Sequence, residues 1–317
     1  MIAPLVSIII PVHNGALTIC RALDSIVNQH VSKEVIIVDD FSSDGTESIV
    51  ELWEKEKQPS FKIVYRELDA LRPKLYRATG APNIARNEGV KLAKGKWIAF
   101  LDADDYWVSG KLQAQLDVLF ENPYCHFCST GFYREDANTG KKTKLLSNDG
   151  KTLFTVFEVI TGKFQVFPSI PSSLLIEKEY YIEHDEYAFL TDINWFLRMY
   201  EAGPIVYVNQ PLLVRVSHND NVSYQSIIQQ INYHDRFLIY WHWIQKYPHL
   251  TEFLMKEMRR WHGSFGRFFY AKGEYGQARM HFIQAHITTK NTLYFLTSFI
   301  PPLSRFISRK FYTWRKS

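Results

Sequence analysis

Lys96–Asp105 reads KWIAFLDADD. Trp97 to Leu101 is a short, unbroken apolar run, the pattern of a strand buried on both faces of a parallel sheet. It stops abruptly in Asp102, Ala103, Asp104 and Asp105. Reading outward, Asn83–Ala93 has helical spacing, and Phe61–Arg66 is a strand. Glu34–Asp39 (EVIIVD) and Leu5–Val12 are two more buried strands. Ala16–Gln29 reads as a helix with Leu17, Cys20, Leu23 and Val27 on its apolar face. Asp44 is read as the cap of the following helix, with Glu47 completing a capping box. This βαβα order implies a mostly parallel α/β sheet with helices on both faces.

Toward the C-terminus the order becomes mixed. Lys111–Phe120 is a helix, His126–Tyr133 a strand, and Glu135–Lys151 a polar hairpin or loop. Ser172–Glu177 is a strand and Asp192–Ala202 a helix, stopped by Gly203 and Pro204. Ile205–Val208 and Pro211–Val216 are short extended pieces. Beyond about Asn219 the chain reads as all-helical, with Phe268–Ala285 as a helical hairpin turning at Gly273. One such unit is not an array, so it is read as an appendage.

Ligands of open α/β sheets sit beyond the carboxyl ends of the strands. The polar residues gather there. The first strand ends in Pro11, Val12, His13 and Asn14, the second in Asp39 and Asp40, the fourth in Asp102–Asp105. Carboxylates crowded on one rim repel one another unless a cation or a donor-rich ligand lies among them. Asp102 and Asp104 are two residues apart, so in an extended segment they share a side, where paired carboxylates can hold Mg²⁺ or Mn²⁺. The first strand–helix turn is P-V-H-N-G rather than G-x-G-x-x-G, which argues against a dinucleotide enzyme, and no P-loop motif occurs.

Composition adds exclusions. The 317 residues are 46% hydrophobic, 22% charged and 15% aromatic, ordinary for a globular chain except in aromatics. A net charge of +4 is too mild for a nucleic-acid partner. Cys20, Cys125 and Cys128 cannot all pair, which suits a reducing cytoplasm. Cys125-x-x-Cys128 lacks the second ligand pair of a zinc site and reads as buried apolar side chains. No signal peptide is visible, and no apolar stretch approaches the ~18 residues of a spanning helix. Ser304–Ser317 mixes Arg305, Arg309, Lys310, Arg315 and Lys316 with Phe306, Phe311 and Trp314. That suits peripheral contact with the inner face of a cytoplasmic membrane, or equally packing on the appendage.

SIIIPVHN, VIIVDDFSSDGT, ARNEGVKLAKGKWIAFLDADD, TDINWFLRMYEAG and PLLVRVSHNDNVS, in that order over residues 5–223, resemble family 2 glycosyltransferases of the GT-A fold. The resemblance implies a nucleotide-binding half at 1–110, an acceptor-binding half at 111–218 and a helical region at 219–317. It implies metal-dependent, inverting transfer from a nucleotide diphosphate-sugar, UDP-linked, to a saccharide or lipid-linked acceptor. Pro11, His13 and Asn14 would edge the base pocket; the family's residue at position 13 is commonly aromatic, and His13 can also stack. Asp40 would accept from the uracil ring nitrogen beside Asp39. Arg86 and Ala103 would lie along the nucleotide, Asp102 would face the ribose or the metal's water shell, Asp104 would bind Mn²⁺ or Mg²⁺, and His218 would touch the metal or the diphosphate. Asp192 aligns with the catalytic base, although the usual preceding Glu is Thr191 here. Two competing readings are a sugar-phosphate nucleotidyltransferase, which would need a glycine-rich phosphate loop after the first strand, and a non-catalytic binder, which would lack the D-x-D or the base. Asp44 reads as a helix cap rather than a ligand, and the simpler reading of Asp105 is the cap of the following turn.

Overall fold

The computed structural model describes residues 4–68, 82–146, 152–155, 170–183, 191–217, 242–271 and 273–289. The chain divides into two compact units, 1–231 and 232–317.

The first unit is built on one mixed sheet. β1 (Val6–Val12), β2 (Lys33–Asp39), β3 (Lys62–Glu67) and β4 (Trp97–Phe100) run parallel. β5 (Tyr106–Trp107), β6 (Phe127–Asp136), β7 (Lys142–Leu145), β8 (Leu153–Phe154), β9 (Leu175–Glu177) and β10 (Ile205–Ser217) follow. The strand order is β3-β2-β1-β4-β9-β6-β10-β5, with β7 on β6 and β8 on β10. β6 and β10 are parallel to each other; β9 is antiparallel to β4 and β6, and β5 to β10. The sheet is therefore mostly parallel, with the reversed strands in its second half.

β1 is buried along its whole length and shows why helices lie on both faces. Ile8, Ile10 and Val12 join a cluster with Ile19, Ala22, Leu23 and Ile26 of α1 (Ile19–Val27), Val50 and Trp53 of α2 (Thr46–Lys57), and Leu112, Leu116 and Leu119 of α4 (Lys111–Glu121). Strand side chains alternate, so Ile9 points the other way. There α3 (Pro82–Leu92) presses so close that a Cβ on Gly89 would fall 2.4 Å from Ile9 Cγ2.

Several local expectations are revised. α1 begins at Ile19 rather than Ala16, leaving Leu17 100% and Val27 41% exposed. The preceding residues are spent on tertiary bonds: Gly15 N donates to Thr46 Oγ1 and Ala16 N to Asp44 Oδ2. The apolar stripe is therefore phased from Ile19. α2 is capped by Gly45 at φ 84°, so Asp44 and Glu47 form no capping box. Asp44 instead accepts from Thr46 N and Thr46 Oγ1. Partial burial pushes its carboxyl up, but the bonds from Thr46 and Ala16 outweigh this and hold it below the usual range. The two extended pieces after Gly203 are one strand, β10, with register shifts between Val208 and Leu213. Pro211, which has no N–H to donate, sits at that irregularity. Of Ser172–Glu177 only β9 is strand; Pro171–Ser173 is a 3-10 turn.

In the second unit α6 (Thr251–Ala271) and α7 (Tyr275–Thr289) form the expected hairpin, turned at Gly273 with φ 81°. His262 and His281 are both buried, with ring centroids 5.7 Å apart, and the His281 ring stacks on Phe269. Burial pushes both imidazoles down to about 4, and for His262 the neighbouring His281 adds to it. An unfolded histidine titrates near ~6.5, so between these values the unfolded chain holds more protons. Stability is then complete above pH ~6.5 and falls as pH drops toward 4. Melting followed across that window should show His281→Phe flattening the decline relative to the native chain; parallel curves would contradict a neutral buried pair.

Candidate active site

The rim beyond β1, β2 and β4 is assembled by bonds between the strand ends. Asp40 N donates to Val12 O at 2.8 Å, and His13 Nδ1 lies 2.6 Å from Asp40 O. His13 and Asn14 are exposed, while Pro11 is buried in β1 opposite Val38. Asn14 has φ 53°, a conformation asparagine tolerates. Its backbone N donates to Ser42 Oγ and its Oδ1 accepts from Ser43 N, both at 2.8 Å. The first two loops are thereby laced into one surface. Gly15 carries that surface to the third loop: a Cβ there would meet Val12 Cγ2 at 2.5 Å and Ala103 Cβ at 3.6 Å.

The paired acids of β2 have separate surroundings. Asp39 is buried, and its carboxylate accepts from Ser42 N, Ser42 Oγ and Tyr65 OH at 2.9, 2.6 and 2.5 Å. Burial, then the bond to Asp39, raises the Tyr65 phenol well above its ordinary value, so it stays a donor. Asp40 is also buried, its backbone N and O both tied to β1 and its loop.

The Asp102–Trp107 segment is held from four elements. Arg86 of α3, whose side chain is 3% exposed, donates to Asp102 Oδ1 at 2.6 Å and to Asn83 Oδ1 at 3.1 Å. Arg86 thus meets the rim through Asp102. Arg21 of α1 donates to Asp104 O at 2.8 Å and lies over the Tyr106 ring, 5.0 Å from its centroid. Ser172 Oγ accepts from Asp102 N at 3.0 Å. Asp105 turns inward, buried, and accepts from Val216 N of β10 at 3.0 Å. This is a tie to β10 rather than the cap of a following turn. Burial, then the charges of Asp104 and Asp102, push its carboxyl well above the carboxylate range. Asp102, Ala103 and Asp104 remain partly exposed at the rim. Tyr106 extends the grip, donating to Glu135 Oε2 at 2.5 Å, with Lys142 Nζ 2.8 Å from its hydroxyl.

Asp192 is the second residue of α5 (Thr191–Ala202); its backbone is helical, and its side chain lies outside the described part of the structure. α5 is anchored one turn on by Trp195, fully buried, with its ring 6.0 Å from Phe100 of β4 and its Nε1 donating to Ile182 O. His218 and the tail 304–317 lie outside the described residues.

Sequence reasoning missed Arg21, Ser172 and the Tyr106–Glu135–Lys142 group. Arg21 and Ser172 reach their partners across 83 and 70 residues, and no local spacing announces them. Gln29 did carry a signal, as an amide closing an apolar helix. It is buried, donates to Val108 O and accepts from Leu112 N, fixing the turn that enters α4.

Among the described residues no three His, Cys, Asp or Glu side chains gather as a metal cluster. Asp102 and Asp104 offer hard oxygen donors. Mg²⁺ is characteristically held by one or two carboxylates plus substrate phosphates, and this donor set fits that mode. Cys125 and Cys128 are buried free thiols, as read from the sequence. Among the described residues no helix is long and apolar enough to cross a membrane.

A rim beyond the strand ends of a mostly parallel sheet is where open α/β folds hold their ligands. The model of glycosyl transferase family 2 matches residues 7–184, more than half of the chain, and the chain belongs to that family. It is 38% identical over 130 residues to a putative teichuronic acid biosynthesis glycosyltransferase, TuaG, of Bacillus subtilis, covering 41% of this chain and 47% of that protein. It is 37% identical over 122 residues to WfgD of Escherichia coli, a UDP-Glc:α-D-GlcNAc-diphosphoundecaprenol β-1,3-glucosyltransferase, covering 37% of this chain and 42% of WfgD. The matched region spans less than half the length of these relatives. S. aureus TarS 1-349 in complex with UDP-GlcNAc shares the fold at TM-score 0.65 and 20% identity, covering 88% of this chain and 81% of that one. The mannosyltransferase PcManGT of Pyrobaculum calidifontis, solved with GDP-Man and Mn²⁺, does so at TM-score 0.59 and 16% identity, over 98% and 80%. These likenesses bear out the GT-A architecture expected from the motifs.

Proposed function

We propose that the chain is a divalent-metal-dependent, inverting glycosyltransferase that takes a sugar from a UDP-sugar to a hydroxyl of a saccharide or lipid-linked acceptor. The observation carrying this is the rim itself: His13, Asn14, Asp40, Asp102 and Asp104 brought to one sheet edge, with the D-x-D segment clamped by Arg21, Arg86 and Ser172. The UDP-GlcNAc complex of TarS and the lipid-linked acceptor in the name of WfgD support the donor and acceptor classes. Mn²⁺ beside GDP-Man in PcManGT supports the metal.

In this reading His13 stacks on the base, Pro11 and Asn14 border it, and Asp40 accepts from the uracil ring nitrogen, with Asp39 holding the turn through Ser42 and Tyr65. Asp102 and Ala103 line the ribose and diphosphate, Arg86 fixes Asp102, and Asp104 with His218 would hold the cation. When bound, Mn²⁺ or Mg²⁺ neutralises charge growing on the departing diphosphate. Asp192 takes the acceptor hydroxyl proton. The oxygen attacks the anomeric carbon from the face opposite UDP, forming the new C–O bond as the bond to the diphosphate breaks. The macrodipole at the start of α5 keeps the base ionised for this task. The basic, aromatic stretch 304–317 would rest on an anionic membrane surface near a lipid-linked acceptor.

A thermal-shift screen of nucleotide-sugars with Mn²⁺ tests the reading. A donor at one hundred times its dissociation constant adds about 2.7 kcal/mol of stability. Stabilisation by UDP-sugars that requires Mn²⁺ is expected; a flat response across all nucleotide-sugars would refute it.

A further inference from the structure

Ser172 stands apart from the other groups that grip the D-x-D segment. It is fully buried at 0% exposure, so it touches no ligand. Its Oγ accepts from Asp102 N at 3.0 Å, and its carbonyl accepts from Trp107 Nε1 at 2.8 Å. One residue therefore holds both ends of Asp102–Trp107, and the turn between is closed by Asp105 N donating to Asp102 O.

Ser172 is itself bolted in place. Ser173 Oγ donates to Ile170 O at 2.7 Å and lies 2.9 Å from Ser129 Oγ of β6. Gln115 of α4 donates to Ser173 O and Cys128 O at 3.0 and 3.1 Å. The same Gln115 accepts from Lys111 Nζ at 2.7 Å, and that fully buried nitrogen lies 4.3 Å from the centroid of the Trp107 ring. Trp107 is thus fixed between Lys111 on its face and Ser172 at its indole N–H. The loop closes on itself: α4, the Pro171–Ser173 turn and β5 constrain one another, and Asp102 hangs from the centre. Arg86 and Arg21 also hold the segment, through charged groups; Ser172 supplies a neutral, buried anchor.

We propose that Ser172 is a positioning residue, with Trp107 as its support, that sets the Asp102–Asp104 backbone for cation binding; this rests on the reading of these two aspartates as the metal site. Outer contacts of this kind typically alter metal affinity 10- to 100-fold. The test uses the full chain with UDP and measures bound Mn²⁺ directly by electron paramagnetic resonance. Ser172→Ala removes one acceptor, and Trp107→Phe keeps an aromatic face toward Lys111 while deleting the donor to Ser172. Each is expected to raise the Mn²⁺ dissociation constant, Ser172→Ala by about tenfold. The melting temperature should fall by a few degrees, as loss of one buried hydrogen bond requires, with the variants still folded, and turnover should recover when Mn²⁺ is saturating. If Ser172→Ala fails to fold, Trp107→Phe carries the measurement alone. Native Mn²⁺ affinity in a folded variant overturns the proposal, as does a loss of turnover that saturating Mn²⁺ does not restore. Asp104→Asn separates the two readings. If it binds Mn²⁺ as well as the native chain does, the metal site itself is wrong and the role of Ser172 falls with it. If it alone loses Mn²⁺, the metal site stands and only the role of Ser172 is refuted.

Discussion

Asp104→Asn is expected to lower transfer by roughly 10³-fold or more, because several kcal/mol of charge stabilisation at the leaving diphosphate goes with the cation and each ~1.4 kcal/mol is a factor of ten. UDP binding should lose its dependence on Mn²⁺ at the same time. The substitution is nearly isosteric and removes one charge. The Asp104 carbonyl stays under Arg21, and Asp102 stays under Arg86 and Ser172, so the segment keeps its path. A melting temperature close to native is therefore part of the expected result. Native turnover of the variant in Mn²⁺ would remove Asp104 from the metal site.

Asp192→Asn should behave differently. Donor affinity should be retained while turnover falls 10²- to 10⁴-fold, the usual cost of losing a general base. α5 is secured by Trp195, Phe196 and Met199, all fully buried, so the amide does not threaten the helix. The split between affinity and turnover is the diagnostic feature. A large loss of UDP affinity with intact turnover at saturation would place Asp192 in the donor pocket instead.

The half of the fold that carries the rim was legible because its strands are buried on both faces. β1, β2 and β4 are dominated by near-continuous apolar runs (IIIPV, VIIV and WIAF), and each ends at its polar cluster, so the pattern alone places His13, Asp39, Asp40 and Asp102 at one sheet edge. Helix phase was less legible. In Leu17-Thr18-Ile19-Cys20, apolar residues are dense enough to support two stripes, and only the tertiary bonds of Gly15 and Ala16 select the one starting at Ile19. β5 and β8, at two residues each, fall below any periodic signal, and β10 was split by a proline at a bulge. For the site, residue types at strand ends showed where chemistry gathers but not how the labour divides. That Asp39 is spent on Ser42 and Tyr65, and Asp105 on Val216, depends on contacts made only after folding. Arg21 and Ser172 were hidden for the same reason.

Whether the ends of β1, β2 and β4 form the donor site is tested most directly by a structure of the chain with UDP and Mn²⁺. The uracil is expected beside His13 and Asp40 and the diphosphate at Asp102–Asp104, with the cation on Asp104. A nucleotide bound away from that rim, or a diphosphate that leaves the D-x-D segment untouched, would contradict it.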